Sequence, residues 1–290
     1  MLGPLQVRGK DGPLRVPPGR QEVILAALLL EANRVVSTNY LVDLIWEDNP
    51  PETARTQVQI CVSRLRKLLA GADSTVSIST RPPGYVLHVD TGDVDSLLFT
   101  GLVAMARRQR DEGESEKAVA LLKSAVALWQ GHCLTGLDSA PLANKARRLD
   151  EERLSAVELR MQSELELGRH DRLVGELQLL THENPLRERL RGQLMCALYW
   201  SGRQAEALEA FRDGRRILGQ ELGLEPGREL RRLEAAILAG ELPPPVRVRA
   251  SRPGGDEAAS GAGPAETAAP RQPSDGTGRA VPRTDAGSDG

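Results

Sequence analysis

Long apolar runs are missing from this sequence of 290 residues. The longest wholly apolar stretch, Val23 to Leu30, is far shorter than the roughly 20 residues that a membrane-spanning helix requires. The opening residues, MLGPLQVRGK, also lack the basic region and apolar core of a signal peptide. The sequence therefore predicts a protein that has no contact with a membrane and is not exported.

Cysteine is scarce as well. The three cysteines, Cys61, Cys133 and Cys196, are widely spaced and include no CxxC pair. We therefore expect no disulfide framework, and the sequence predicts a protein of the reducing cytoplasm. His132 adjoins Cys133, but a metal site needs further ligands at a workable spacing, and the other histidines are scattered. No GxxxxGKS or GxxxxGKT run is present, and no nucleophile can be paired with a base. These absences predict no catalytic residue, no cofactor and no bound metal.

An overall positive charge, the simplest sign of a nucleic-acid partner, is missing too. The formal net charge is -2 at pH 7, so any such signal must be local. It occurs between Thr53 and Ala70, where four residues are arginine or lysine and none is acidic. This segment is the first candidate for contact with an anionic partner.

The character of the chain changes near Asp93 and again near Pro243. Short β-like pieces and three helical ones precede the first change, and nearly continuous helix, broken by glycines and prolines, follows it. From Pro243 onward there is neither leucine nor an aromatic residue, which leaves too little apolar area to offset chain entropy. We predict a mainly α protein with a small β component: a first domain over 1–93, an all-α domain over 94–240 and a disordered tail over 241–290.

The first domain is predicted to hold three helices and two pairs of strands. Two short strands surround Lys10 to Gly12, the first helix is RQEVILAALLLEAN, and the second begins at Ser37 or Thr38. The third runs from about Thr53 to Ala70, and two more strands flank the run TRPPGY. Proline cannot donate a ladder hydrogen bond and glycine permits positive φ, so we expect Pro82-Pro83-Gly84 to end one strand and reverse the chain.

The third helix has two different sides. Its apolar residues recur at three- and four-residue spacing and are predicted to be buried: Ala54, Val58, Cys61, Val62, Leu65, Leu68 and Leu69. Steps of 100° per residue place a strip on the exposed side, made of Thr53, Gln57, Ile60, Arg64 and Lys67, with Thr56 and Ser63 beside it. Glutamine and arginine can bond to base edges, isoleucine can contact a thymine methyl, and hydroxyls and cations can hold phosphates. For an isolated helix, a solvated charged face is the alternative.

The neighbouring hairpin favours the DNA-binding interpretation. Three helices, of which the third is basic, followed directly by a hairpin with Arg81 beside its tip, predict a winged helix-turn-helix. In that arrangement the third helix enters the major groove, and the hairpin forms the wing over the backbone or the adjacent minor groove.

The sequence resembles a known family at this point. NRVVSTNYLVDLIW, PPETARTQVQICVSRLRKLL and RPPGYVL are similar to the DNA-binding domain of the Streptomyces antibiotic regulatory proteins, a winged helix of the OmpR type. By position in the family's motif, the resemblance implies base contacts by Gln57, Ile60 and Arg64. It implies phosphate contacts by Thr56, Ser63, Arg66 and Lys67, although Ser63 departs from the arginine often found there. The full predicted DNA-binding set is Thr53, Thr56, Gln57, Gln59, Ile60, Ser63, Arg64, Arg66, Lys67, Ser79 and Arg81.

The second domain resembles the bacterial transcriptional activation domain of the same family, and the resemblance extends from about Leu2 to Leu238. Independently of it, Gly168-Arg169-His170 and Gly202-Arg203-Gln204 lie 34 residues apart (168 to 202), which is the tetratricopeptide period. Stacked antiparallel helix pairs are therefore expected, with a concave surface for a protein partner.

The resemblance implies a transcriptional activator of antibiotic biosynthesis genes. It would bind direct repeats in double-stranded promoter DNA and recruit RNA polymerase holoenzyme, either as a preformed homodimer or as two copies that meet on tandem sites. The alternative is a helical-repeat scaffold whose winged helix serves protein contacts. An acidic or apolar outer face on the third helix would favour the scaffold, whereas the face of this sequence is basic and polar.

Overall fold

The computed structural model describes residues 1–10, 12–71 and 76–243. The described elements follow in chain order: β1 Val7–Gly9, β2 Gly12–Leu14, α1 Arg20–Leu30, β3 Val36–Ser37, α2 Thr38–Trp46, α3 Ala54–Ala70, β4 Ser77–Arg81, β5 Gly84–His88, α4 Asp95–Asp111, α5 Ser115–Ala127, α6 Ala140–Glu166, α7 His170–Glu183, α8 Glu188–Trp200, α9 Gln204–Leu222 and α10 Arg228–Ala239. The predicted mainly α protein with a small β component is confirmed. Of the tail predicted over 241–290, residues 244–290 lie outside the described residues.

The amino-terminal half is a winged helix, as predicted. Helices α1, α2 and α3 pack around a common core, and β3, β5 and β4 form an antiparallel sheet in that order. Ser37 caps α2, because its hydroxyl accepts a hydrogen bond from the Tyr40 amide at 3.1 Å. Strands β4 and β5 are the wing, and Ile78 lies opposite Leu87 on its buried face.

The reason predicted for Gly84 was wrong. Gly84 is the first residue of β5 and is not among the described glycines with positive φ; the chain reverses at Pro82-Pro83. Glycine is needed because β3 passes directly against it. A Cβ on Gly84 would lie 1.8 Å from the carbonyl oxygen of Val36 and 2.7 Å from the Cα of Ser37. The constraint is therefore a close approach of two backbones.

The carboxy-terminal half is a stack of helices with the predicted period. Gly168 and Gly202 each have φ of +75°, and α7 and α9 begin two residues after them. Gly113, with φ of +81°, stands at the same offset before α5. Leu177 and Phe211, which occupy equivalent places in α7 and α9, are both buried. None of the described helices is both long and apolar enough to cross a membrane.

The two halves share one hydrophobic core. It joins residues of α1, α2, α3 and the wing to others from the amino-terminal segment and from α4, α5 and α6. Leu2 is 1% exposed in this core, beside the helical half, and its carbonyl oxygen accepts from the Gln130 amide at 2.7 Å. Phe99 and Trp129 meet edge to face, with ring centroids 5.4 Å apart. A second core lies among α6 to α10.

Polar contacts also connect the two halves. The Ser139 hydroxyl, at the start of α6, donates to the carbonyl oxygen of Leu44 in α2 at 3.1 Å. Lys145 of α6 contacts Glu31 at 2.7 Å, and its Nζ lies 4.9 Å from the centre of the Tyr40 ring. The winged helix is therefore held against the helical domain on several sides.

Replacing Gly84 by alanine should destabilise the protein. Because the new Cβ would overlap the backbone of β3, Gly84→Ala should lower the free energy of unfolding by about 2 kcal/mol or more. The matched control is Gly101→Ala in α4, where nothing lies within 4 Å of an added Cβ. That change should stabilise the helix by up to about 1 kcal/mol. Urea unfolding followed by circular dichroism measures both, and equal effects would refute the close-approach argument.

Candidate nucleic-acid interface

The exposed side of α3 carries the predicted strip. Thr53, Thr56, Ile60, Ser63, Arg64 and Lys67 are exposed, and Gln57 is half-buried. Ile60 has an exposed fraction of 46% in the middle of these polar groups. Gln59 is also exposed, but it lies about 100° around the helix from Ile60 and so points away from the centre of the strip.

Gln57 is oriented by its neighbours. Its Nε2 donates to the Thr53 hydroxyl at 2.8 Å, and its Oε1 accepts a hydrogen bond from the Arg20 guanidinium. Arg20, at the start of α1, stacks 5.0 Å above the Trp46 ring. A carboxamide has two donor hydrogens and two acceptor lone pairs, so one donor and one lone pair of Gln57 have no side-chain partner among the described residues.

Arg20 is a residue that sequence reasoning missed. It adds a cation beside the amino-terminal end of the strip and orients Gln57. The sequence holds no signal for this contact, because helical periodicity does not indicate which residue of a different helix meets Gln57.

Arg66 contacts the wing rather than the strip. Its Nε donates to the carbonyl oxygen of Ile78 at 2.8 Å, and its Nη2 donates to the Thr80 hydroxyl at 2.8 Å. The guanidinium also lies 6.0 Å from the centre of the Tyr85 ring. Arg66 is half-buried, and these bonds join α3 to β4.

The remaining cations of α3 make the surface electropositive. Arg64 and Lys67 have no ion pair with a carboxylate among the described residues, and α3 itself contains no acid. Arg55 donates to the neutral amide oxygen of Asn39 at 2.8 Å. Burial raises the pKa of the Cys61 thiol, whereas the charges of Arg20 and Arg64 lower it. Nearby positive charge favours the thiolate, so this direction agrees with an electropositive surface.

The wing contributes two predicted residues. Arg81 is exposed at the end of β4, next to the turn. Ser79 is half-buried, and its hydroxyl lies 2.8 Å from Nε2 of His88. The tip is tied to α2, because both the amide and the hydroxyl of Thr38 donate to the carbonyl oxygen of Pro83, at 3.1 and 3.2 Å. The wing therefore has a defined position beside α3.

The cysteines lie away from this surface or beneath it. Cys133 is buried, and burial raises its pKa to about 12; burial raises that of Cys196 to about 11. The neighbouring His132 has its Nδ1 3.4 Å from a carboxylate oxygen of Asp150. Among the described residues no three histidine, cysteine or acidic side chains are grouped closely enough to hold a metal ion.

Two family models match two successive stretches of the chain. One, described as transcriptional regulatory protein, C terminal, matches residues 18–87. The other, described as bacterial transcriptional activator domain, matches residues 94–238. Regulatory protein DnrI from Streptomyces peucetius is 35% identical over 253 residues, which are 83% of this chain and 92% of DnrI. This chain belongs to the Streptomyces antibiotic regulatory protein family.

Other members of the family differ from this chain in length. Regulatory protein AfsR from Streptomyces griseus is 39% identical over 241 residues, which are 83% of this chain but 24% of AfsR. The chain thus spans about a quarter of the length of that relative. A solved structure of Mycobacterium tuberculosis EmbR, in complex with a low-affinity phosphopeptide, matches with a TM-score of 0.80 and 35% identity, over 83% of this chain and 65% of that one.

The hydrogen bonds from Arg66 to β4 should hold the wing against α3. Arg66→Ala should speed amide hydrogen exchange in β4 by about tenfold or more, because a hydrogen bond from a charged donor contributes about 1.5 kcal/mol or more. Lys67→Ala, which removes the adjacent but exposed cation, should leave exchange in β4 unchanged. If the two variants exchanged alike, Arg66 would be only another surface charge.

Proposed function

We propose that this protein is a sequence-specific DNA-binding transcriptional activator. The observation that carries the proposal is the exposed strip on α3, which combines cations that have no carboxylate partner among the described residues, hydrogen-bonding side chains and Ile60 at 46% exposure. An exposed isoleucine among polar groups has no role in the core, whereas it suits a thymine methyl in a major groove. The wing beside α3 supplies Arg81 for the backbone or the minor groove.

The strip divides into two kinds of contact. Gln57, Ile60 and Arg64 are proposed to meet base edges. Thr53, Thr56, Ser63 and Lys67, with Gln59, Ser79 and Arg81 at the flanks, are proposed to hold the phosphates. Arg66 is proposed to act mainly by positioning the wing, since two of its nitrogen atoms already donate to β4.

The proposed targets are direct repeats in the promoters of antibiotic biosynthesis genes, with RNA polymerase holoenzyme as the protein partner. Family membership supports this part of the proposal. Two copies would lie head to tail, because direct repeats are related by translation along the helix and not by a two-fold axis.

Footprinting on the promoters next to its own gene tests the proposal directly. We expect protection of two short sites in the same orientation. Transcription from that promoter with purified polymerase should rise when the protein is added. Absence of protection on every neighbouring promoter would contradict the proposal and favour the helical-repeat scaffold.

Arg64 and Lys67 should have different effects on specificity. Arg64→Ala should weaken operator binding by roughly 1 to 3 kcal/mol and relax the preference at one base position. Lys67→Ala should weaken binding to operator and random DNA alike. Titrations on both DNAs measure this, and equal losses on the two DNAs for both variants would contradict the division into base and phosphate contacts.

Operator affinity should fall steeply with salt. Arg55, Arg64, Lys67 and Arg81, together with Arg20, could neutralise about four or five phosphates, which gives a log-log slope of roughly -4 to -5 per bound copy. Two copies on tandem repeats should roughly double that slope. Lys67→Ala should reduce the slope by about 1. A slope near zero would mean that the winged helix does not meet DNA.

A further inference from the structure

A groove on the helical domain contains a buried cation that DNA binding does not use. The groove lies between α7, α8 and α9 and has a volume of about 350 Å³. Leu194 and Leu198 of α8 and Ile217 of α9 supply apolar wall. Arg191 of α8 also lines the groove, and its exposed fraction is only 6%.

Arg191 is held by neutral groups. Its Nη1 donates to the carbonyl oxygen of Ala210 at 3.0 Å, and its Nη2 donates to that of Pro185 at 3.3 Å. No carboxylate in the described part of the chain lies within ion-pair distance of the guanidinium. Asp213 attracts it from the same groove, but that carboxylate is itself 3.5 Å from Arg216.

A buried charge without a paired anion is costly, because it has lost its hydration. The pKa of Arg191 is lowered from its ordinary value, mainly by burial, and attraction to Asp213 does not cancel this effect. A guanidinium has five donor hydrogens, and the two carbonyl bonds use two of them. An incoming carboxylate would supply the missing negative charge and accept the donors that remain.

Gly214 of α9 provides room for the cation. A Cβ at this position would lie 2.2 Å from Cδ and 2.5 Å from Nε of Arg191. Glycine is unfavourable inside a helix, so its presence in the middle of α9 fits a requirement for space beside the guanidinium.

We propose that this groove binds a protein segment with an acidic side chain, and that Arg191 pairs with its carboxylate. Apolar neighbours of the acid would lie mainly on the half-buried Ile217, because Leu194 and Leu198 are only 5% and 2% exposed. Glu206 and Glu209 of α9 also line the groove, so a second acid in the segment is disfavoured there. Stacked helical repeats commonly present such concave surfaces to partners.

The test uses an array of decapeptides in which one glutamate is placed among leucine and alanine, each with a twin that carries glutamine instead. The full chain should bind the best glutamate peptide about tenfold more tightly than its twin, because hydrogen bonds between charged groups are the stronger ones. Fluorescence polarisation of that labelled pair gives the two affinities. Twins of equal affinity, or no bound peptide at all, would overturn the proposal.

Variants locate the binding to the groove. Arg191→Met keeps an apolar stem and should abolish the difference between the twins. Arg212→Met, at an exposed position of α9 that does not line the groove, should preserve it. If Arg191→Met does not fold, Ile217→Asp gives a second measure, since a like charge on the wall should weaken the glutamate peptide more than its twin. Equal losses in Arg191→Met and Arg212→Met, or no selective loss in Ile217→Asp, would also overturn the proposal.

Operator binding serves as the independent readout. Arg191 lies in α8, whose apolar residues belong to the second core and not to the core that holds α3, so a folded Arg191→Met should bind operator DNA as the unchanged protein does. If the peptide test fails while the protein still binds operator DNA, the result contradicts the groove proposal and leaves the proposed DNA binding unaffected.

Discussion

The winged helix depends on the close contact between the backbones of Gly84 and Val36. Strand β3 is only two residues long and leads directly into α2, so its pairing with β5 fixes the wing relative to that helix. Thr38 then ties the tip to the start of α2, and Arg66 ties β4 to α3. Helix α3 and the wing consequently form one surface, which two separately mobile elements could not provide.

Much of this architecture could be predicted, because it follows from local patterns. The apolar period of α3 determines which side is buried, and Ala54, Val58 and Leu65 are buried as expected. The glycines that recur at 34-residue spacing predict the ends of helices, and Gly168 and Gly202 have the same positive φ.

The remaining features come from contacts between elements that lie far apart in the sequence. Gly84 was correctly placed at the wing but for the wrong reason, since no local pattern shows that β3 passes against it. Arg20 and Arg66 have ordinary surface-type side chains in the sequence, and only the fold shows that one orients Gln57 and the other holds the wing. Periodicity identifies a face but not the residue opposite it.

Charge is distributed very differently in the two domains. In the helical domain Glu164 pairs with two cations: the buried Arg160 and the exposed Lys123 each lie 3.2 Å from its carboxylate. On α3, by contrast, Arg64 and Lys67 have no acidic neighbour in the helix. The net charge of -2 is a sum over the whole chain, so composition alone gives no sign of this positive surface.

The shared core limits how two copies can meet on DNA. Because residues of α1, α2, α3 and the wing share one core with residues of α4, α5 and α6, the orientation of α3 sets the orientation of the helical domain. Two copies bound to the proposed direct repeats would therefore present their helical domains in the same direction and at the spacing of the sites. Contacts between the copies would then raise the effective concentration of the second copy only at matching spacings. Under the proposed function, repeat spacing would therefore contribute to specificity in addition to the base contacts proposed for α3.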